Sequence, residues 1–254
     1  NVASTAQGVW QVVLESNTNI YGQTETLFAV KNDPLAYYIN DGSTNGDVFC
    51  SAAGSADGSG LTTNSPLNSL ETLLNRYKVE HGDTIYVDTG TYPRSTPLVL
   101  AIPSAAATNR LVIQGSYNEA AGGSVFTNSS GSGAVLELQS VHMLDLRDLR
   151  LHGGGVGLLF SESGTNLIRR VRAVGNRGNA FELSPSSGQN RFAQCAALNF
   201  VRTGLHVAVS ITHPPTNYWE NGVMASPPVS SNGTVVATGA LMGVQSGRIY
   251  VSNS

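Results

Sequence analysis

Three stretches of the chain share one spacing of apolar residues: LDLRDLRL at 144–151, NLIRRVRA at 166–173 and NRFAQCAA at 190–197. Their third, sixth and eighth positions are apolar in every copy, and the copies begin 22 and then 24 residues apart. A turn that carries Gly or Asn follows each copy, and then comes a second short apolar run: GLLF at 157–160, AFEL at 180–183 and GLHV at 204–207. Repeats of this length, each too small to bury its own core, indicate a solenoid.

The alternation inside the repeat is the pattern of β-strands. Two strands separated by a turn, repeated at this length, make one coil of a parallel β-helix, and equivalent residues then stack about 4.8 Å apart. A β-sandwich with strands of similar length does not explain why the spacing inside each unit recurs. We therefore predict an all-β chain that forms a right-handed parallel β-helix.

The repeat also assigns positions to asparagine and cysteine side chains. Asn166 and Asn190 begin consecutive copies, and we expect them to form an inward or corner asparagine ladder that satisfies polar groups along the stack. Cys195 falls on a core position, so we expect a buried free thiol there. A disulfide with Cys50, the other cysteine of the chain, is the alternative.

Composition argues against several partners. Charged residues make up 12% of the chain and its net charge is −3, so we expect no nucleic-acid partner. Its lysines are Lys31 and Lys78 alone, too few for a polybasic membrane contact, and no apolar run is long enough to span a membrane. The chain opens on Asn1 without a signal peptide, which suggests a mature or excised piece of a larger secreted or cell-surface chain or assembly.

Residues 1–36 and 37–254 are predicted to form separate parts. The first part contains two strand-like runs, at 8–14 and 24–30, joined by a polar turn at 16–22, which predicts a β-hairpin. This hairpin either covers the end of the β-helix or is the remnant of a preceding β-sandwich domain. The second part is the β-helix.

A short amphipathic helix is predicted at about 66–77. Ser65 is a suitable N-cap, Pro66 suits the first helical position, and the leucines that follow form one apolar stripe with Tyr77. A single helix in an otherwise β chain can plug the N-terminal end of a β-helix. The first coil would otherwise expose its core and its unpaired edge groups.

The region around this helix resembles the opening of a known group of proteins. It contains YYIND at 37–41, GSADG at 54–58, Ser65-Pro66, and GDTIYVDTGTY at 82–92. This region is similar to the N-terminal segment of secreted right-handed parallel β-helix proteins of the pectate-lyase-like superfamily. The resemblance implies the fold. It is less informative about function, because the group includes polysaccharide lyases, epimerases and hydrolases as well as non-catalytic adhesive segments.

Lyases of this group commonly use a Lys or Arg base beside acidic residues that bind calcium. The β-helix part has no lysine beyond Lys78 and no matching acidic cluster in its coils, which weakens the expectation of an enzyme. The predicted function is therefore a non-catalytic β-helix segment of a secreted or cell-surface protein, structural or adhesive, with glycan contact. One alternative is a polysaccharide lyase or epimerase that acts on an acidic polysaccharide, and another is a trimeric phage-type tail fibre or spike.

The coil alignment places four outward residues in one column: Glu137, Leu159, Glu182 and His206. Glu182 and His206 are then neighbours on adjacent coils. There a carboxylate and an imidazole can act as general acid and base. The simpler interpretation is an exposed cross-strand ion pair.

The other outward face carries columns rich in arginine: Asp148, Arg170 and Gln194; Arg147 and Arg169; Arg150 and Arg172. Stacked guanidiniums can clamp the carboxylates or sulfates of an acidic polysaccharide. In an enzyme, Arg170 would line the catalytic groove. These arginines can equally form ion pairs with Asp145 and Asp148 within the chain.

Calcium is the cofactor that one loop of the sequence suggests. Oxygen-bearing side chains alternate along it at Asp41, Ser43, Asn45 and Asp47, which is a calcium-loop spacing. Asp57 could complete the site from the next loop. Residues of these types also form turns without a metal.

The stretch from His213 to Glu220 interrupts the regular repeat. Its aromatic residues, Tyr218 and Trp219, can form a platform for a sugar ring on a projecting loop that a Pro-Pro pair stiffens. Trp219 can equally be a core residue of a coil.

Overall fold

The computed structural model describes residues 35–102, 109–208 and 216–225 in full, and the backbone of the strands that lie outside these ranges. The chain divides into two compact units, Asn1–Leu35 and Ala36–Ser254. In the part of the chain that the structure describes, no helix combines the length and the apolar character needed to cross a membrane.

In the first unit the structure describes the strands β1 (Gln7–Gly8), β2 (Gln11–Leu14), β3 (Asn17–Gln23) and β4 (Phe28–Ala29). The strands β2 and β3 pair antiparallel, and so do β1 and β4. The predicted turn at 16–22 is wrong because most of it is strand β3, which contains the strand-favouring residues Thr18, Ile20 and Tyr21. The two roles predicted for this part, end cap or sandwich remnant, stay predictions.

The second unit winds three parallel sheets into coils, and each full coil contributes one strand to each sheet. Sheet 1 contains β5 (Ala36–Ile39), β6 (Thr84–Val87), β9 (Leu111–Gly115), β12 (Leu144–Arg147), β15 (Leu167–Arg169), β18 (Arg191–Ala193), β21 (Thr216–Glu220) and β26 (Arg248–Ser252). Sheet 2 contains β7 (Gly90–Arg94), β10 (Ser124–Asn128), β13 (Leu149–Gly153), β16 (Arg172–Val174), β19 (Ala196–Leu198) and β22 (Val223–Ala225). Sheet 3 contains β8 (Leu98–Leu100), β11 (Ala134–Gln139), β14 (Val156–Ser161), β17 (Phe181–Leu183), β20 (Thr203–Val207) and β25 (Ala240–Val244). Two further strands, β23 (Val229–Ser231) and β24 (Thr234–Val236), pair antiparallel.

Successive strands of each sheet pair in parallel and in register, as the repeat predicts. In sheet 1, Leu146 pairs with Ile168 and Ile168 pairs with Phe192. Trp219 continues this column, and all four side chains are buried. Parallel strands joined in this way follow a right-handed path in about 98% of known crossovers. The predicted parallel β-helix is confirmed.

Aromatic rings fill the core of the later coils. The Phe192 ring lies 5.5 Å from that of Phe160, 5.5 Å from that of Phe181 and 5.6 Å from that of Trp219, measured between ring centroids. Phe192 and Trp219 come from sheet 1, whereas Phe160 and Phe181 come from sheet 3. These rings therefore pack the two sheets directly against each other.

An asparagine ladder runs along the stack, as predicted. Oδ1 of Asn166 accepts the N–H of Leu144 at 3.0 Å, and Oδ1 of Asn190 accepts the N–H of Asn166 at 3.2 Å. Asn217 extends the ladder by one coil, because its Oδ1 accepts the N–H of Asn190 at 3.0 Å. All three asparagines are buried, so the ladder satisfies backbone groups that water does not reach.

The helix α1 (Leu70–Arg76) is shorter than the predicted 66–77. Its N-cap is Ser69 rather than Ser65, and Oγ of Ser69 accepts the N–H of Thr72 at 3.1 Å. That bond satisfies one of the free N–H groups at the start of the helix.

The residues just before the helix are extended because they pair with sheet 1. The N–H of Leu67 donates to the carbonyl of Tyr38 at 3.0 Å, and this bond keeps the segment beside strand β5. After the helix, the Tyr77 ring lies 5.3 Å from the ring of Tyr37, which belongs to strand β5. The residues on both sides of the helix thus contact the first strand of sheet 1, where a cap is needed.

Both cysteines are free thiols. Cys195 is buried, and its burial raises the pKa of the thiol to about 12. Cys50 is half-buried. The buried free thiol predicted for Cys195 is confirmed.

Candidate functional site

The predicted column on the outer face of sheet 3 is present. Glu137 pairs with Leu159, Leu159 with Glu182, and Glu182 with His206. The Glu182 carboxylate accepts a hydrogen bond from Nδ2 of Asn179 at 2.8 Å. Nδ1 of His206 is buried and has no partner among the residues that the structure describes. Glu182 and His206 are therefore neighbours, and their acid–base role stays a prediction.

Two arginines on the outer face of sheet 1, Arg147 and Arg169, share one carboxylate. Nη2 of Arg147 lies 2.8 Å from Oδ2 of Asp145, and Nη2 of Arg169 lies 2.5 Å from the same oxygen. Asp145 is buried, and a buried carboxylate needs such partners. Arg147 and Arg169, predicted as glycan ligands or as partners of Asp145, form the internal pairs.

Corner residues in left-handed conformation join sheets 1 and 2 in three successive coils: Asp148, Arg170 and Gln194. The Arg170 guanidinium donates to Asp148 at 2.6 and 2.7 Å, and Gln114 donates to it at 2.7 Å. Burial alone would raise the pKa of Asp148, but these two donors hold it below its ordinary value. In turn, the hydrogen bond to Asp148 raises the pKa of Arg170.

The loop that carries the calcium candidates folds around Asp88. The Asp88 carboxylate is buried and accepts the N–H groups of Val48, Phe49 and Cys50 at 2.5–2.8 Å. These bonds hold the loop against the end of strand β6.

Two of the predicted calcium ligands, Asp41 and Asp47, lie close enough to interact electrostatically, and both carboxylates accept hydrogen bonds. Asp41 accepts a backbone N–H of its own turn at 2.8 Å, Asp47 accepts Nδ2 of Asn40 at 2.6 Å, and Asn45 and Asp57 are exposed. Burial raises the pKa of Asp47 against the effect of the Asn40 hydrogen bond. Within the described ranges, no three His, Cys, Asp or Glu side chains are grouped to hold a metal ion. The calcium site stays a prediction.

Tyr218 and Trp219 lie in strand β21 rather than on a projecting loop. Trp219 is 3% exposed and stacks on Phe192. Of its two predicted placements, the core is correct and the sugar platform is wrong, because the buried ring offers no face to a ligand. Tyr218 is 39% exposed on the outer face. The Pro-Pro pair, within 209–215, lies outside the described residues.

A cleft that the sequence reasoning missed lies where the corner between sheets 1 and 2 is longest. The chain leaves strand β9 at Gly115 and enters β10 at Ser124, and the excursion contains a 3-10 turn at Glu119–Ala121. Nδ2 of Asn118 donates to the carbonyl of Gly46 at 2.8 Å and ties the excursion to the neighbouring loop. The excursion therefore forms a firm wall beside sheet 2.

This cleft has a volume of about 230 Å³. Tyr117 and Glu119 of the excursion line one side, and Arg150, Arg170 and Arg172 line the other. Nη2 of Arg172 lies 2.7 Å from Oε1 of Glu119, so one ion pair spans the cleft.

The cleft carries an uncompensated positive charge. Its lining contains three guanidiniums and two carboxylates, of which Arg170 pairs with Asp148 and Arg172 with Glu119. Arg150 has no carboxylate partner among the described residues, although it lies directly opposite Arg172 on the neighbouring strand. Like charges in such cross-strand positions repel. An anion held between the two guanidiniums would relieve this repulsion.

Two solved structures resemble the fold of this chain. The crystal structure of pectate lyase Pel9A matches with a TM-score of 0.50 at 15% sequence identity, over 86% of this chain and 63% of that chain. The chain has the parallel β-helix fold of that structure. A rhamnogalacturonan lyase matches with a TM-score of 0.43 at 16% identity, over 85% of this chain and 62% of that chain. Protein-family models and curated proteins give no sequence match.

The chain spans less than two thirds of the length of each of those two chains. At 15% identity the likeness to pectate lyase Pel9A establishes the fold alone. The similarity that the sequence predicts from its opening and from its coils is thereby confirmed.

The length of each corner in the β-helix was the signal that could have revealed the cleft. Residues 111–114 align with 144–147, and 124–128 align with 149–153. This register leaves the excursion 116–123 where the other coils place one or two residues. An insertion at one corner of a regular solenoid commonly forms a binding face.

Proposed function

We propose that the chain is a non-catalytic β-helix segment of a secreted or cell-surface protein, and that it binds an acidic polysaccharide in the cleft beside the excursion 116–123. The proposal is carried by Arg150, which lines this cleft without a carboxylate partner among the described residues and faces Arg172 on the next strand. A polysaccharide of uronic acids supplies the missing anion on a repeating sugar chain.

The groups in the cleft match the parts of an acidic sugar. A guanidinium binds a carboxylate through two parallel N–H···O bonds, and Arg150 and Arg172 present two such groups side by side. Tyr117 is 68% exposed at the wall of the cleft and offers an aromatic face to the apolar side of a sugar ring. A neutral sugar would contact the Tyr117 ring but would offer no carboxylate to the guanidiniums.

The protonation chemistry supports binding rather than cleavage. An arginine can act as a catalytic base only after it has lost its proton, whereas Asp148 stabilises the protonated form of Arg170 and raises its pKa. Asp145 is held by two arginines. The alternative, a lyase or epimerase, would use Glu182 and His206 on sheet 3, which do not line this cleft.

Replacement of Arg150 tests the cleft. We expect Arg150→Ala to weaken binding of an oligogalacturonate about tenfold, because the variant loses the unpaired guanidinium, as measured by isothermal titration calorimetry. Arg202→Ala is the matched control, since Arg202 is an exposed arginine outside the cleft lining. If both variants weaken binding equally, net charge rather than the cleft explains it and the proposal fails.

Incubation with acidic polysaccharides tests for catalysis. We expect no unsaturated sugar products, followed by ultraviolet absorbance, when the chain is incubated with pectate, alginate or glycosaminoglycans. Their formation would overturn the non-catalytic role, and variants of Glu182 and His206 would then show whether sheet 3 carries the reaction.

Glu119 should compete with the ligand, because its carboxylate already pairs with Arg172 across the cleft. We expect Glu119→Gln to strengthen binding of the oligogalacturonate about two- to fivefold, the usual range of a surface ion pair. Glu162→Gln removes an exposed carboxylate elsewhere and should leave the affinity nearly unchanged. Weaker binding by Glu119→Gln in the same titration would contradict the competition.

A further inference from the structure

Four aromatic rings form a continuous strip on the outside of the first coils. Tyr38 and Tyr86 occupy paired positions in strands β5 and β6, and their rings stack at 5.4 Å with 17° between their planes. The Phe49 ring lies 5.0 Å from that of Tyr86 and 6.2 Å from that of Tyr117. We call Tyr38, Tyr86, Phe49 and Tyr117 the aromatic strip.

The hydrophobic core does not account for the aromatic strip. Tyr37, Ile39 and Ile85 fill the inward positions of the same two strands and are buried. Tyr38 and Tyr86 alternate with them on the outer face and stay half-buried. Strand side chains alternate between the two faces of a sheet, so these two rings face away from the core.

The strip is held in place and ends at the cleft. Phe49 belongs to the loop that Asp88 fixes, and its own N–H donates to that carboxylate at 2.8 Å. Tyr117 belongs both to the strip and to the lining of the arginine cleft. The rings and the guanidiniums of Arg150 and Arg172 therefore form one continuous surface along the stack of coils.

We propose that the aromatic strip is a second subsite for the same polysaccharide and receives the sugar rings next to the acidic residue that Arg150 holds. This inference rests on the proposed function. The apolar C–H face of a pyranose stacks on an aromatic ring, and the hydroxyl groups of Tyr38 and Tyr86 add hydrogen bonds at the edge. The ligand is thus an oligosaccharide segment of several sugars, rather than a single uronate or an inorganic anion.

The dependence of affinity on chain length tests the strip. The probes are a galacturonate trimer and a hexamer, titrated against the full chain and against Tyr38→Val/Tyr86→Val, in which valine preserves the strand preference. For the unchanged chain we expect the hexamer to bind about tenfold more tightly than the trimer, beyond the statistical gain from its additional registers. The double variant should bind the trimer equally well and retain only the statistical gain.

Val201→Ala is the control, because Val201 is an exposed apolar residue in a distant coil, outside the aromatic strip and the cleft lining. It should keep the full advantage of the hexamer, and circular dichroism checks that each variant is folded. If the double variant keeps the advantage, or if the unchanged chain lacks it while binding the trimer, the strip proposal is overturned and the cleft stands. If neither probe binds the unchanged chain, both proposals fail.

Discussion

Phe192→Ala should lower the free energy of unfolding by about 3–5 kcal/mol, the usual cost of such a truncation in a packed core. The Phe192 side chain is fully buried and contacts the rings of Phe160, Phe181 and Trp219. Alanine leaves a cavity between sheets 1 and 3 that this rigid stack of coils cannot fill by local movement. Urea unfolding followed by far-ultraviolet circular dichroism measures the loss.

Phe192→Leu is the control for this prediction. It keeps most of the buried volume and should cost about 1 kcal/mol. Tyr218→Val on the outer face of sheet 1, where the ring is 39% exposed, should change stability by less than either. A Phe192→Ala variant as stable as Phe192→Leu would show that the rings do not pack the two sheets together.

Asn190→Ala should lower the free energy of unfolding by about 3 kcal/mol. Oδ1 of Asn190 accepts the N–H of Asn166, and its Nδ2 donates to the carbonyl of Ser163 at 3.1 Å. Alanine leaves these buried backbone groups without partners, and each costs about 1–3 kcal/mol. It also removes the middle member of the ladder, so Asn217 loses a neighbour.

Asn45→Ala is the control for the ladder, because Asn45 is exposed and should change the free energy of unfolding by less than about 0.5 kcal/mol. Equal urea midpoints for the Asn190 and Asn45 variants would mean that the ladder does not stabilise the stack. Unfolding of the later coils before the earlier ones in Asn190→Ala would be consistent with the account, since each coil contacts only its neighbours.

The stacked coils could be predicted from the sequence because each copy repeats the same physical requirement. Leu146, Ile168 and Phe192 occupy one inward column, so each of these positions must be apolar. The asparagines were readable for the same reason, since a buried polar column must bond along the stack. A column follows from the repeat itself, so its residues can be recognised in the sequence.

Features set by contacts between coils or loops were not readable in this way. The N-cap of the helix is Ser69 rather than Ser65 because Leu67 pairs with Tyr38, a contact that no local capping signal records. The shape of the cleft depends on how an insertion folds. Its charge depends on an ion pair between Arg172 and Glu119 of another coil, whereas Arg150 has no carboxylate partner among the described residues. Residue types indicated that the arginines would be paired internally or bind a glycan. Only the structure shows that Arg147 pairs with Asp145, whereas Arg150 has no carboxylate partner among the described residues.

The affinity of the chain for one oligogalacturonate, compared with its fully methyl-esterified form by calorimetry at the same low ionic strength, tests the central claim most directly. The two ligands share the sugar chain and differ in the charge of the carboxyl groups that Arg150 and Arg172 are proposed to hold. We predict that the ester binds about 100-fold more weakly, because charge-assisted hydrogen bonds to guanidinium are lost. Equal affinities for the acid and the ester would contradict the account.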